Sequence, residues 1–218
     1  MRDHAHSHAP RWLTIALSIC VLSGCGTNTP KIPAELLGGG GAASADYPSG
    51  PYGTEEGDVL SNLSFQGFRQ PHLGSPSGRA LETIAFSDYY DPTGTRGVKL
   101  ILINTAAVWC SACRSEHEGL PARNDQYQGR GLRIVSTLFQ DAAQHPATLR
   151  DLNAWVEAFA SNYPMLLDPD YQLGTFARAN TAPLNLIVDA RTMTIEKKLL
   201  GDAESVIWPF IDASLEQP

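Results

Sequence analysis

The apolar positions of residues 58–218 follow two periods, one typical of buried strands and one typical of amphipathic helices. Short runs rich in leucine and β-branched residues predict core strands at 100–103, 132–139, 165–167, 184–188 and 194–200. Apolar residues at helical spacing predict helices after 113, over 148–161, from 168 to about 179 and over 203–215. The order β-α-β-α-β-α-β-β-α predicts an α/β fold in which helices flank one central sheet.

Residues 58–98 form a different region, with strand-like composition interrupted by turn signals. Val59-Leu60, Leu63–Phe65 and Leu81–Phe86 have the composition of short strands, and Pro76-Ser77-Gly78 separates the last two. The local pattern predicts β structure here without fixing how the strands pair.

The N-terminal segment has the pattern of a secretory signal of the lipoprotein type. Arg2 and Arg11 precede or open an apolar run from Trp12 to Leu22 that is too short to span a bilayer, which needs about 20 residues. Leu22-Ser23-Gly24-Cys25 follows, and it is similar to a bacterial lipobox. We therefore expect cleavage after residue 24 and a lipid anchor on Cys25, the alternative being an ordinary signal peptide with a chance cysteine.

Glycine, proline, serine and alanine dominate residues 26–57, and such a segment buries too little surface to offset its ordering entropy. The expected organisation is therefore a signal peptide over 1–24, a lipidated N-terminus and flexible linker over 25–57, and one globular domain over 58–218.

Composition narrows the function classes. The chain has a net charge of −7, with 43% hydrophobic and 18% charged residues, which is typical of a globular protein and lacks the basic face of a nucleic-acid-binding protein. Of the four cysteines, only Cys110 and Cys113 lie in the globular region. No further cysteine remains there for a distant disulfide or a zinc ribbon, so no metal is expected.

Cys110 and Cys113 stand where a predicted strand gives way to a predicted helix. The first sulfur is expected at the helix N-terminus, where free N–H groups and the helix dipole stabilise a thiolate. The second lies about one turn later, within reach of a disulfide. A local staple is the alternative, but closing so short a loop gains little chain entropy. The spacing therefore favours a redox-active pair.

The residues around this pair resemble a known superfamily. Asn104 and the run Trp109-Cys110-x-x-Cys113-Arg114-x-Glu116 are similar to the thioredoxin-like superfamily, in particular to its membrane-anchored TlpA/ResA-type thiol–disulfide oxidoreductases of the redoxin branch. The resemblance implies a thioredoxin-like fold with a central mixed sheet and an N-terminal β extension. It also implies an exposed attacking thiol at Cys110 and a buried resolving thiol at Cys113.

Four further residues receive expected roles from the resemblance. Trp109 covers the disulfide, and Pro183 matches the cis-proline that turns Ala182 towards the sulfurs, so that Trp109 and Ala182 contact the substrate. Glu116 is the expected acid or base for the resolving thiol. The alternative for Glu116 is an exposed first-turn glutamate favoured by the helix dipole.

The sequence also departs from the family pattern. Thr105-Ala106 replace the usual Phe-Trp, and Glu118 stands where the helix usually carries proline. Gly119 and Pro121 are expected to end or kink the helix early.

Three alternatives to a thiol–disulfide oxidoreductase remain open at this point. A thiol peroxidase of the redoxin type is disfavoured because Ala107 stands where a threonine or serine is expected. A copper-handling protein of the Sco type spaces its cysteines by three residues rather than two. A domain that only binds partners is the third.

The expected partners are oxidised protein thiols as substrate, a membrane electron donor, and the membrane itself through the lipid anchor. We expect an extracytoplasmic monomer on the periplasmic side, with no cofactor besides the Cys110–Cys113 disulfide and no nucleic-acid partner.

Overall fold

Seven strands form one mixed sheet in a computed structural model that describes residues 47–177 and 181–217. The predicted signal segment and Cys25 lie outside the described residues. The strands are β1 (Ser64–Phe68), β2 (Glu82–Ala85), β3 (Leu100–Ala107), β4 (Leu132–Gln140), β5 (Met165–Leu167), β6 (Leu184–Asp189) and β7 (Ile195–Leu200). The α-helices are α1 (Ser111–Tyr127), α2 (Leu149–Phe159) and α3 (Glu204–Leu215). Every strand and α-helix predicted from residue 100 onwards is present except the helix over 168–179.

The order across the sheet is β2-β1-β5-β4-β3-β6-β7. β3 pairs in parallel with β4 and antiparallel with β6, which makes it an inner strand of the sheet. All eight of its residues are buried, as expected of a strand that is covered on both faces. The Cys-x-x-Cys segment follows directly from this inner strand.

Successive residues of β3 pack into two separate apolar cores, because side chains point alternately to the two faces of a strand. Leu100 and Leu102 pack with residues of α1, α2 and α3 on one face. Ile101 and Ile103 pack on the other face with apolar residues of 60–84 and with two short 3₁₀ helices, Phe86–Tyr89 and Gln172–Phe176. The expected α/β sheet flanked by helices is thus confirmed.

The N-terminal extension is a β-hairpin added to the edge of the sheet. β1 pairs antiparallel with β2 on one side and with β5 on the other. Residues 47–57, which the sequence pattern assigns to the linker, also contact the domain. The Tyr47 hydroxyl donates to the Leu60 carbonyl at 2.8 Å, and Gly57 N donates to the Ile195 carbonyl at 2.8 Å. The folded part therefore begins before residue 58, because specific hydrogen bonds offset the entropy of this segment.

One local expectation is wrong, and one alternative of a second is excluded. The helix expected from 168 to 179 is replaced by the 3₁₀ helix Gln172–Phe176, because Tyr171 adopts a left-handed backbone conformation with φ of +48°. In contrast, α1 does not end at Gly119 or Pro121 but continues to Tyr127 with the proline inside it. Packing of its buried face against the sheet outweighs the lost backbone hydrogen bond.

No helix in the ranges 47–177 and 181–217 combines the length and the apolar character needed to cross a membrane.

Candidate active site

The two cysteines of the globular region are joined at the start of α1. Cys110 is the N-cap residue, and a disulfide links it to Cys113, with 5.3 Å between the two Cα atoms. The Cys113 N–H lies 3.1 Å from the Cys110 sulfur and donates to it. No acidic residue occupies the first turn of α1. In the reduced protein, this N–H and the helix dipole favour a thiolate on Cys110.

The burial of the pair corrects one expectation. Cys110 was expected to be exposed, but only 4% of its surface is accessible, while Cys113 is fully buried. The reason is tertiary packing: both cysteines belong to the apolar cluster against which Trp109 and Ala182 pack. The predicted order is retained, because Cys110 remains the more accessible of the two.

Trp109 is half-buried beside the disulfide, at the junction between β3 and α1. Its indole N–H donates to Gln140 Oε1 at 2.9 Å, and its ring meets Phe139 edge to face with 6.4 Å between centroids. Phe139 in turn stacks on Tyr171 at 3.9 Å. The position of Trp109 is thus set by the end of β4, to which no local sequence signal connects it.

The segment before β6 contains the predicted proline. The Ala182–Pro183 peptide bond is cis, as the resemblance implies. Side chains hold this segment on both sides: the Tyr171 hydroxyl donates to the Thr181 carbonyl at 3.2 Å, and Leu184 N–H donates to Thr105 Oγ1 at 3.0 Å. Thr105, which replaces the usual phenylalanine, therefore anchors the start of β6.

Glu116 is a buried carboxyl group one turn after Cys113, with 3% of its surface accessible. This burial excludes the alternative of an exposed first-turn glutamate. Asn104 Nδ2 donates to Oε2 at 2.8 Å, and Asn185 Nδ2 donates to both carboxyl oxygens at 3.1 and 3.3 Å. Burial raises the pKa of Glu116 to about 7, the two amides oppose this rise, and the nearby acids Glu204 and Asp202 add to it.

Asn104 also connects to a second buried polar group, the imidazole of His117. His117 Nε2 lies 3.0 Å from Asn104 Oδ1 and 3.2 Å from Ser136 Oγ. Its Nδ1 faces the Trp155 indole N–H at 3.0 Å and the Tyr163 hydroxyl at 2.9 Å. Burial lowers the pKa of His117 to about 3, so the ring is neutral at pH 7. One hydrogen-bonded network thus joins five side chains from five segments: Asn104, His117, Ser136, Trp155 and Tyr163. Asn104 connects this network to Glu116 and Asn185.

Sequence analysis missed His117 and Asn185 as members of the site. The one available signal for Asn185 is a lone amide inside the apolar strand Leu184–Asp189, since a buried polar side chain needs a partner. His117 carries no comparable signal, because its partners come from distant segments.

Across residues 47–177 and 181–217, no three histidine, cysteine or acidic side chains are grouped as metal ligands would be. The groups gathered at the start of α1 are a disulfide, a buried carboxyl and an amide network. Such a set suits the transfer of electrons and protons between thiols.

The sequence matches one protein family and several curated relatives. Residues 70–198 match the model of the AhpC/TSA family. The thiol:disulfide interchange protein DsbE of Escherichia coli is 28% identical over 111 residues, which cover 50% of this chain and 54% of that protein. Its counterpart in Allochromatium vinosum is 29% identical over 158 residues, covering 69% and 82%. The chain therefore spans about half the length of the Escherichia coli protein and 82% of the Allochromatium vinosum protein.

Solved structures show the same fold. A putative thiol:disulfide interchange protein DsbE from Chlorobium tepidum superimposes with a TM-score of 0.57 at 16% identity, over 75% of this chain and 99% of that one. A secreted thiol-disulfide isomerase from Corynebacterium glutamicum gives 0.56 at 14% identity, over 78% and 98%. The fold is thioredoxin-like, and since the family model matches more than half of the residues, the chain belongs to the AhpC/TSA family.

Proposed function

We propose that this protein is a thiol–disulfide oxidoreductase that reduces protein disulfides through Cys110 and Cys113. The observation that carries the proposal is the disulfide at the N-terminus of α1 with the Glu116 carboxyl buried one turn behind it. The curated relatives named thiol:disulfide interchange protein support the same chemistry.

The proposed reaction is two successive thiol–disulfide exchanges. The Cys110 thiolate attacks one sulfur of a substrate disulfide, forms a mixed disulfide and releases the other sulfur as a thiolate. The Cys113 thiol then loses its proton and attacks the Cys110 sulfur. That step restores the Cys110–Cys113 disulfide and releases the second substrate thiolate. The substrate gains two electrons and, once its thiolates are protonated, two protons.

Glu116 is the proposed base for the Cys113 proton. A pKa of about 7 lies near neutral pH, where a group both accepts and returns a proton readily. Its position one turn from Cys113 on the same helix supports this role.

Trp109 and the Ala182–Pro183 segment are the proposed contacts for the substrate chain. Both lie at the edge of the apolar cluster that contains the disulfide, and Ala182 packs directly against that cluster. An extended substrate strand pairing with the Ala182 backbone would bring its disulfide to Cys110.

The cellular setting is part of the proposal. The N-terminal pattern supports export and lipid attachment at Cys25, and we assign the domain to the periplasmic side of a bacterial membrane. Restoring the dithiol after each turnover requires two electrons, and we assign their supply to a membrane protein.

The experiment that tests the activity is insulin reduction combined with trapping of mixed disulfides. Cys110→Ser should abolish reduction, because no attacking thiolate remains. Cys113→Ser should instead accumulate a covalent complex with the substrate, because the first exchange proceeds and the second does not.

Trapping by Cys110→Ser but not by Cys113→Ser would contradict the order of attack. Rapid consumption of hydrogen peroxide without insulin reduction would favour the peroxidase alternative.

A further inference from the structure

His117 is a fully buried titratable side chain that the proposed exchange does not use. A buried histidine is costly to desolvate unless both ring nitrogens are paired, and here both are. Its two nitrogens face opposite sides of the network, Nδ1 towards α2 and Nε2 towards Asn104 on β3. The direction of each hydrogen bond decides what the histidine does for its neighbours.

The Trp155 indole fixes the position of the ring proton. An indole N–H can only donate, so His117 Nδ1, 3.0 Å away, must be an acceptor without a proton. A neutral imidazole then carries its proton on Nε2. That N–H donates to Asn104 Oδ1 at 3.0 Å, and the Ser136 hydroxyl donates to the same oxygen at 3.0 Å.

The orientation of the Asn104 amide follows from these two donors. With its oxygen held by His117 and Ser136, its NH₂ group must face the opposite way, towards Glu116 Oε2 and Asn185 Oδ1, each at 2.8 Å. Because Asn185 Oδ1 accepts, the NH₂ group of Asn185 also faces Glu116. One indole N–H therefore determines the polarity of a chain of hydrogen bonds that ends on the carboxyl group.

We propose that His117 is a positioning residue, which holds the NH₂ group of Asn104 on the Glu116 carboxyl without touching that carboxyl itself. This inference rests on the proposed function only for its consequence, the transfer of the Cys113 proton. With the amide reversed, its oxygen would face the carboxylate and Glu116 would lose a donor that favours its ionised form. His117 thus lowers the pH at which Glu116 titrates.

The test must separate the effect of His117 on the titration of Glu116 from the effects of the other groups near that carboxyl. Glu204 on α3 and Asp202 in the preceding turn are the acids that face it. β3 and β6 contribute the neutral amides of Asn104 and Asn185. On α1 itself, Cys113 stands one turn before Glu116 and the neutral His117 follows it directly in sequence. Titration of the oxidised protein removes Cys113 from the measurement, because a disulfide does not titrate.

The experiment follows the ¹³C resonance of the Glu116 carboxyl carbon against pH in the oxidised full chain, assigned by its absence in Glu116→Gln. His117→Leu should raise the midpoint by about one pH unit, the size expected for one lost hydrogen bond to a charged group. His117→Gln should restore it, because a glutamine amide can donate to Asn104 Oδ1. Tyr127→Phe is the matched control, since it removes a bond from the same helix to Asp212, outside the network, and should not move the midpoint.

Ring ¹⁵N shifts of His117 give a second measurement that does not depend on mutation of the residue. They should place the proton on Nε2. If His117→Leu does not fold, the double variant Trp155→Phe, Tyr163→Phe removes both donors to Nδ1, and it should shift the ring proton and raise the Glu116 midpoint.

A proton on Nδ1 in the unmodified protein, or an unchanged Glu116 midpoint in these variants, overturns the inference. A midpoint in His117→Gln equal to that of His117→Leu overturns it as well. None of these readings requires turnover. Absence of insulin reduction with an intact titration shift would instead overturn only the proposed function.

Discussion

Two buried carboxyl groups, Glu116 and Asp168, have raised pKa values for the same main reason and are held in different ways. Burial raises the pKa of Glu116 to about 7 and that of Asp168 to about 6. Asp168 accepts from the backbone N–H groups of Gln172 and Leu173 at 2.7 and 3.1 Å, in the turn that directly follows it. Glu116 instead accepts from side-chain amides on two strands.

The difference separates a structural carboxyl from one suited to chemistry. Backbone N–H groups cannot turn around, so Asp168 has a fixed environment that stabilises the start of the 3₁₀ helix. Side-chain amides can reverse, so the environment of Glu116 depends on whatever holds them. A shifted pKa alone does not distinguish the two sites. The type of hydrogen-bond partner does, and so does the position of Glu116 one turn after Cys113 on α1.

The largest expected effect is the change of the free energy of unfolding with pH. The pKa of Glu116 is raised from 4.5 in the unfolded chain to about 7 in the folded protein, so only the unfolded state releases this proton between those values. The free energy of unfolding therefore falls as pH rises through this window, by roughly 3 kcal/mol for this group. Urea titrations of the wild type and Glu116→Gln from pH 4 to 8 measure it.

The informative quantity is the difference in the free energy of unfolding between the wild type and Glu116→Gln at each pH. His117, with a pKa lowered from 6.5 to about 3, contributes in the opposite direction over an overlapping range, because the unfolded chain takes up its proton. That contribution is present in both proteins and cancels in the difference. A difference that stays constant with pH would contradict the raised pKa of Glu116.

The second-largest expected effect is a difference in enzymatic activity between variants of Glu116 and variants of Asp168. Glu116→Gln should lower the rate of insulin reduction by about 10²-fold, the lower end of what one acid or base contributes. Asp168→Asn should leave that rate unchanged and lower the free energy of unfolding by about 1–3 kcal/mol, because one buried N–H loses its acceptor. Equal losses of activity in both variants would remove the functional distinction.

The smallest effect comes from the exposed acids beside each group. Glu204→Gln should lower the pKa of Glu116, and Asp170→Asn should lower that of Asp168, each by a few tenths of a unit because solvent screens these charges. Carboxyl ¹³C titration measures both. Each variant is the control for the other, since a shift at the distant carboxyl would mean that the environments are coupled.

Much of the fold could be predicted because its signals are local. The buried strand Leu100–Ala107, the cysteine pair and the start of α1 are contiguous, and strand and helix periods identify them without any long-range information. The helix expected over 168–179 failed for reasons that are partly tertiary. The left-handed conformation of Tyr171 is set by packing on Phe139 and by the Asp168 turn, neither of which periodicity records.

The sequence by itself determined where the redox pair stands and which helix carries it, because spacing along one helix brings Cys110, Cys113 and Glu116 to its first turns. Only the tertiary structure decided that Glu116 is buried and which groups hold it. Asn104 and Asn185 are 81 positions apart and meet because β3 and β6 pair antiparallel. His117 joins them because α1 packs across the same strands. Hydrogen bonds between side chains from distant segments leave no repeating pattern in the sequence. Their partners and directions can therefore be determined only from the assembled sheet.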